Sequence, residues 1–215
     1  MFGTHDLALF IVAGLLLNLV PGPDSLLIMA RSAGQGWRAG SVASLGICTG
    51  TFVLIFGAAL GVSALLATSA VAFTVLKIVG AAYLVWVGLG MAFGAGRKPQ
   101  SAEQASHGRA VPLPYRRIFV QGLMTNALNP KVALFFLAFV PQFIAPDAPS
   151  KALAFIALGC LFNVNSLLWC HVLALSTAFA SRRLRVSATA IRWLNRSIGI
   201  LFVSFGIRLA LQDKP

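Results

Sequence analysis

Two stretches of this chain run for 30 residues or more without a formal charge. Residues 39–76 contain no Asp, Glu, Lys or Arg, and neither do residues 152–181. A bilayer core asks for about 20 apolar residues per helix, so each stretch is long enough to cross one. Hydrocarbon satisfies no backbone N–H or C=O group, which leaves helices and closed barrels as the spanning structures. No segment alternates with the period of two that a membrane barrel strand needs. The expected class is therefore an all-α membrane protein. Composition supports this: 58% of residues are hydrophobic and only 10% charged, against about a quarter charged in a soluble domain. So few polar residues do not cover a globule's surface.

Six spans are expected, at 7–30, 39–62, 69–93, 117–142, 151–179 and 192–211. The first is preceded by "MFGTHD", which lacks the basic residues of a cleaved signal peptide. Basic residues sort strongly between the connections. The first connection holds Arg31 and Arg38, the third Arg97, Lys98, Arg109, Arg116 and Arg117, and the fifth Arg182, Arg183, Arg185 and Arg192. The second has none and the fourth only Lys151. Cytoplasmic loops collect Lys and Arg, so the odd connections face the cytoplasm and both termini face outward. The net charge of +12 has its source in those loops. No aromatic-interleaved basic patch indicates a nucleic-acid partner. Cys48, Cys160 and Cys170 lie in apolar segments without a CxxC pair and read as small buried hydrophobes.

The third connection, "GAGRKPQSAEQASHGRAVPLPYRR", is rich in Gly, Pro, Ser and charge, and reads as a flexible cytoplasmic linker over residues 94–116. It separates residues 1–93 from 117–215, each with three expected spans. Both halves interrupt their first span in a similar way. The first carries Asn18 ahead of Pro21, Gly22 and Pro23; the second carries Asn126 and Asn129 ahead of Pro130 and Lys131. In the third spans, Lys77 precedes Gly80 as Arg196 precedes Gly199. Three spans per half invert the second half relative to the first. Two inverted three-helix repeats with broken first helices are the plan of many secondary transporters, whose sites lie at the midplane.

The breaks offer chemistry. Pro21 and Pro23 supply no N–H, so carbonyls one turn earlier lose their donors. In lipid such groups must be met by protein or water. The half-helix that follows starts with free N–H groups and positive potential, suited to a carboxylate. Asp24 stands near that end. A charge at the midplane costs on the order of 3 kcal/mol on insertion scales, so Asp24, Lys77, Lys131, Arg196 and His171 should pair or line a pathway. For Asp24 two readings stand: a helix cap salt-bridged to Lys131 or Lys77, or a carrier of a proton or a substrate ammonium. Lys77 and Arg196 could instead snorkel to the interface. Asn18, Asn126, Asn129, Asn163 and Asn165 are amides within spans, able to bind substrate or neighbouring helices. His171 stands alone and reads as hydrogen-bonded, with no metal set around it. Gly36, Gly40, Gly46 and Gly50 suggest close helix packing. Trp37, Trp86, Trp169 and Trp193 suggest interfacial anchors.

Residues 21–50, "PGPDSLLIMARSAGQGWRAGSVASLGICTG", resemble the signature of the LysE/RhtB amino acid exporters. Residues 76–91, "LKIVGAAYLVWVGLGM", look like their third span, and "GLMTNALNPKVALFFLAFVPQF", residues 122–143, like their fourth. The family commonly has Asn where this chain has Asp24, so the charge is expected to alter substrate or coupling. The resemblance implies a non-enzymatic efflux carrier of the bacterial inner membrane, proton-driven, for amino acids or related small metabolites. Site residues expected on the substrate or proton pathway are Asn18, Pro21, Gly22, Pro23, Asp24, Lys77, Asn126, Asn129, Pro130, Lys131 and Asn165. No cofactor or metal is expected, and the Gly-rich helix faces permit a homodimer. The rivals are an exporter of another ion or amine, and an intramembrane thiol oxidoreductase, which would need two apposed cysteines.

Overall fold

The computed structural model describes residues 3–68 and 112–180, with single positions beyond them at 75, 78, 81, 82, 85, 86, 89 and 93 and at 196, 197, 200, 203, 204 and 207. Lys77, most of the linker and most of the third and sixth expected spans lie outside the described residues. Among those described, the architecture is helical: α1 Leu7–Leu19, α2 Pro23–Gln35, α3 Trp37–Thr68, α4 Tyr115–Ala127, α5 Pro130–Leu134 and α6 Lys151–Ala180. A π-helical turn, Phe135–Phe139, and a 3-10 turn, Val140–Phe143, extend α5.

Helices α3 and α6 are unbroken and long and apolar enough to cross a bilayer. Two bent helix pairs meet the same length and composition when each counts as one bent span. Helices α1 and α2 meet at 58°, and α4 meets the segment Pro130–Phe143 at 45°. The cause is local. Gly22 is extended, at φ −137° and ψ −176°, and Pro23 opens α2, where its missing N–H costs nothing. Asn129 is extended and Pro130 opens α5. The Asn129 side chain accepts from the Lys131 N–H at 3.0 Å, an N-cap. Gly36 joins α2 to α3 at φ +85°, a left-handed conformation that favours glycine. A Cβ there would meet nothing within 4 Å. Gly36 is thus a turn residue, not the packing residue its spacing suggested.

The other three glycines of that series do pack. Without water between helices, small residues let backbones approach. A Cβ on Gly46 would collide with the Phe119 carbonyl oxygen, and one on Gly50 would lie 2.5 Å from that of Leu123. Gly122 reciprocates, 2.5 Å from the Ala43 carbonyl. Gly40 faces Ser32 and Ala174 in the same manner. Helix α3 therefore lies directly on α4, its most extensive contact, with α6 and α2 following.

The bent spans run antiparallel. The His5 N–H donates to the Phe143 carbonyl at 3.0 Å and that of Ala145 to Gly3 at 2.7 Å, tying the start of the first to the end of the second. At the opposite end, Arg31 donates to Gln121 at 2.8 Å, and Gln35 exchanges bonds of 3.0 and 3.2 Å with the Leu113 backbone. Two apolar clusters result. One is rich in phenylalanine, with Phe10, Phe135, Phe136, Phe139, Phe143 and Phe162. The other gathers Ile28, Ala43, Ile47, Ile118 and Ala174.

Candidate functional site

Helices α3 and α6 and each of the two bent spans pass from one apolar cluster to the other, and each carries polar side chains at the crossing. In the first bent span the clusters end at Val20 and resume at Ile28, with Asp24 between. In α3, Thr51 lies between Ile47 and Ile55; in the second bent span, Asn126 and Asn129 lie between Ile118 and Val132. In α6, Asn163 and Ser166 lie between Phe162 and Cys170. Thr51, Asn126, Asn129, Asn163 and Ser166 are all buried. The chain thus holds a polar layer between two apolar ones.

The two breaks cross-connect within this layer. Asp24 Oδ2 accepts from Asn126 Nδ2 at 3.0 Å and Asn129 Nδ2 at 2.8 Å. Lys131 Nζ donates to the carbonyls of Leu17 at 3.2 Å and Val20 at 3.1 Å. Leu17 lies four residues before Pro21, so it is the carbonyl that the missing proline N–H leaves short. Asn129 couples the two interactions, holding Asp24 with its amide nitrogen and the Lys131 N–H with its oxygen. The single Thr51 hydroxyl proton lies between the Ile47 carbonyl, 3.1 Å away, and Asn126 Oδ1, 3.0 Å away. A Cβ on Gly22 would stand 3.2 Å from Lys131 Nζ, so glycine there leaves room for the ammonium.

Of the two salt bridges open to Asp24, the one to Lys131 is not formed, and Lys77 lies outside the described residues. Among the described residues neither has an ion-pair partner within 4.0 Å. The lysine answers the backbone of the broken helix, and the carboxylate is held by neutral amides. Asp24 Oδ1 is buried and has no hydrogen-bond partner among the described residues.

A second group lies across α1, α3 and α6. Ser166 Oγ donates to Asn18 Oδ1 at 3.2 Å, and Asn163 Nδ2 to the Cys48 carbonyl at 3.1 Å. Asn18 Nδ2 and Asn163 Oδ1 are buried without partners among the described residues. Asn165 stands apart, its amide on the Ile11 carbonyl at 3.3 Å. The structure thus gathers Pro21, Gly22, Pro23, Asp24, Asn126, Asn129, Pro130 and Lys131 at the crossed breaks, with Asn18 on the neighbouring α1–α6 contact. Sequence reasoning missed Thr51 and Ser166. A threonine that bonds its own helix carbonyl looks the same at Thr49 as at Thr51, so no local signal separates them.

Other candidates take no part in the crossed network. His171 Nδ1 is 2.9 Å from the Leu167 carbonyl of its own helix. The three cysteines are free thiols. No group of three or more His, Cys, Asp or Glu that could hold a metal occurs among the described residues. An open groove of about 540 Å³ runs along α4 past Pro114, Arg116, Arg117, Val120, Gln121 and Met124, and includes none of the expected site residues.

Comparison with known proteins extends the resemblance to nearly the whole chain. The LysE type translocator family matches residues 15–213. An uncharacterized membrane protein of Pseudomonas aeruginosa is 35% identical over 212 residues, covering 97% of this chain and 96% of that one. The leucine efflux protein of Salmonella typhi is 32% identical over 212 residues, with 97% and 96% covered. That of Klebsiella pneumoniae is 32% identical over 214 residues, again with 97% and 96% covered. No solved structure matches. Family members are transporters, which places a multi-pass carrier of small molecules, and not an enzyme, at this level of description. The apolar helices, the polar layer at two breaks and the match across the whole length agree: this chain belongs to the LysE type translocator family.

Proposed function

We propose that this chain is a secondary carrier that exports amino acids across the bacterial inner membrane, coupled to protons, by alternating access. Family membership and the relatives named for leucine efflux support an amino acid as cargo. The observation that carries the reading is the crossed network, in which Asn126, Asn129 and Lys131 of one break hold Asp24, Leu17 and Val20 of the other. A site whose two sides belong to separate bent spans can open toward either side as those spans rock. The phenylalanine-rich cluster borders the layer and suits an apolar side chain such as leucine's.

In this reading Lys131 and the free N–H groups of α2 give the break a positive potential that draws the substrate carboxylate toward the layer, with Lys77 as a further cation on the path. Asp24 Oδ1 takes the amino group or a proton. Residues 1–93 and 117–215 form two inverted three-helix repeats joined by a cytoplasmic linker, with both termini outside.

The test is efflux from cells preloaded with single radiolabelled amino acids. Cells expressing the chain should release one or more of them, led by leucine, faster than cells without it. Equal rates across a full panel would defeat the reading.

A further inference from the structure

The orphaned amide atoms on α1 and α6 are oriented, and their orientation assigns the substrate's two charged ends. Asn163 is 5% exposed. It donates its amide nitrogen to the carbonyl of Cys48, which already lies within a continuous helix. Its own oxygen is left buried and unpaired. A buried polar atom left unpaired is destabilising, so a contact serving only helix packing would be wasteful. Asn18 is arranged in the opposite sense. Its oxygen accepts the Ser166 hydroxyl at 3.2 Å, and its amide nitrogen is buried and unpaired.

The result is an acceptor and a donor held by residues one turn apart on α6. Asn163 and Ser166 are three positions apart, about 4.5 Å along the helix axis. We propose that Asn163 Oδ1 receives the α-ammonium of the exported amino acid and Asn18 Nδ2 its α-carboxylate, with Ser166 a positioning residue that fixes the Asn18 amide. This deepens the amino acid export reading and rests on it. It also divides the labour at the breaks: neutral amides read the zwitterion, and the free Asp24 Oδ1 is kept for the proton. A neutral amide pair selects an amino acid that carries both charged ends, whatever its side chain.

The test uses the purified full chain in liposomes, with leucine as the transported probe. Two competitors are compared: leucinamide, which lacks the carboxylate, and 2-hydroxy-4-methylpentanoate, which lacks the ammonium. The wild type should prefer leucine over each by about tenfold or more, the scale of one hydrogen bond to a charged group. Asn163→Ala should collapse the preference over the hydroxy acid and keep that over leucinamide. Asn18→Ala should do the reverse. Ser166→Ala, which leaves both amides in place, should shift the leucinamide ratio in the direction of Asn18→Ala. Asp24→Asn should leave both ratios unchanged. Variants that weaken all three ligands equally, or that leave both ratios at wild-type values, would overturn the assignment while leaving amino acid export intact. A wild type that neither transports nor binds leucine, nor any other amino acid in the cell panel, would overturn the export reading itself.

Discussion

Lys131→Met is the substitution that most sharply tests the joining of the two breaks. Methionine fills much of the lysine stem's volume and offers no donor. The structure lets the cost be divided. Leu17 loses a charge-assisted bond but keeps a contact from the Val20 N–H at 3.3 Å. Val20, only 4% exposed, loses the donor that meets its carbonyl at 3.1 Å. A side-chain hydrogen bond inside a membrane bundle is worth about 0.6 kcal/mol on average and up to about 1.7. A buried carbonyl left unpaired costs about 1–3 kcal/mol. Together these put the loss near 2–4 kcal/mol. Titration of the purified protein from mild detergent into SDS, followed by tryptophan fluorescence and helical circular dichroism, measures it. Pro21→Ala completes a cycle, because it restores an N–H four residues after Leu17. The double variant should be less destabilised than the sum of the two singles, by about 0.5 kcal/mol or more. A loss under about 0.5 kcal/mol for Lys131→Met, within the range of unremarkable surface changes, would refute the capping role. So would strictly additive behaviour in the cycle.

Three further outcomes follow from the same geometry. Asp24→Asn should alter the dependence of efflux on an imposed proton gradient while preserving membrane insertion; wild-type dependence would reduce Asp24 to a structural tie between the two breaks. Gly50→Val places a side chain 2.5 Å from the Leu123 carbonyl and should separate α3 from α4, costing about 1–3 kcal/mol or more of overpacking in the same SDS titration, and an unchanged midpoint would contradict the backbone contact. Single cysteines at residues 3 and 213, in a background lacking Cys48, Cys160 and Cys170, should both react with an impermeant maleimide from outside; labelling on opposite sides would break the six-span topology.

Much of this arrangement is legible in the chain itself, and the unread parts have physical reasons. Proline dictates local geometry through its own covalent structure, so the breaks at Pro21–Pro23 and Pro130 can be placed without knowing what surrounds them. Charge-free runs likewise mark α3 and α6. Partners across the bundle are harder. Formal charge suggests pairing Asp24 with Lys131, yet the lysine reaches the carbonyls that the proline break left short, and two asparagines more than 100 positions away take the carboxylate. Each polar group in the layer has several chemically adequate partners, and only the packing of the helices selects among them. Gly36 shows the same limit on a smaller scale, since spacing cannot separate a turn glycine from a packing one. Thr51 and Ser166 gain meaning only from the residues they face.

Whether amino acids leave through the layer between the two breaks is decided by leucine efflux from liposomes containing only the purified protein. The liposomes are loaded with radiolabelled leucine and assayed with and without a proton gradient. Release should be faster than from protein-free liposomes, accelerated when the gradient drives protons inward against outgoing leucine, and lost in Lys131→Met. Release no faster than from empty liposomes, or equal release in wild type and Lys131→Met, would contradict export through that layer.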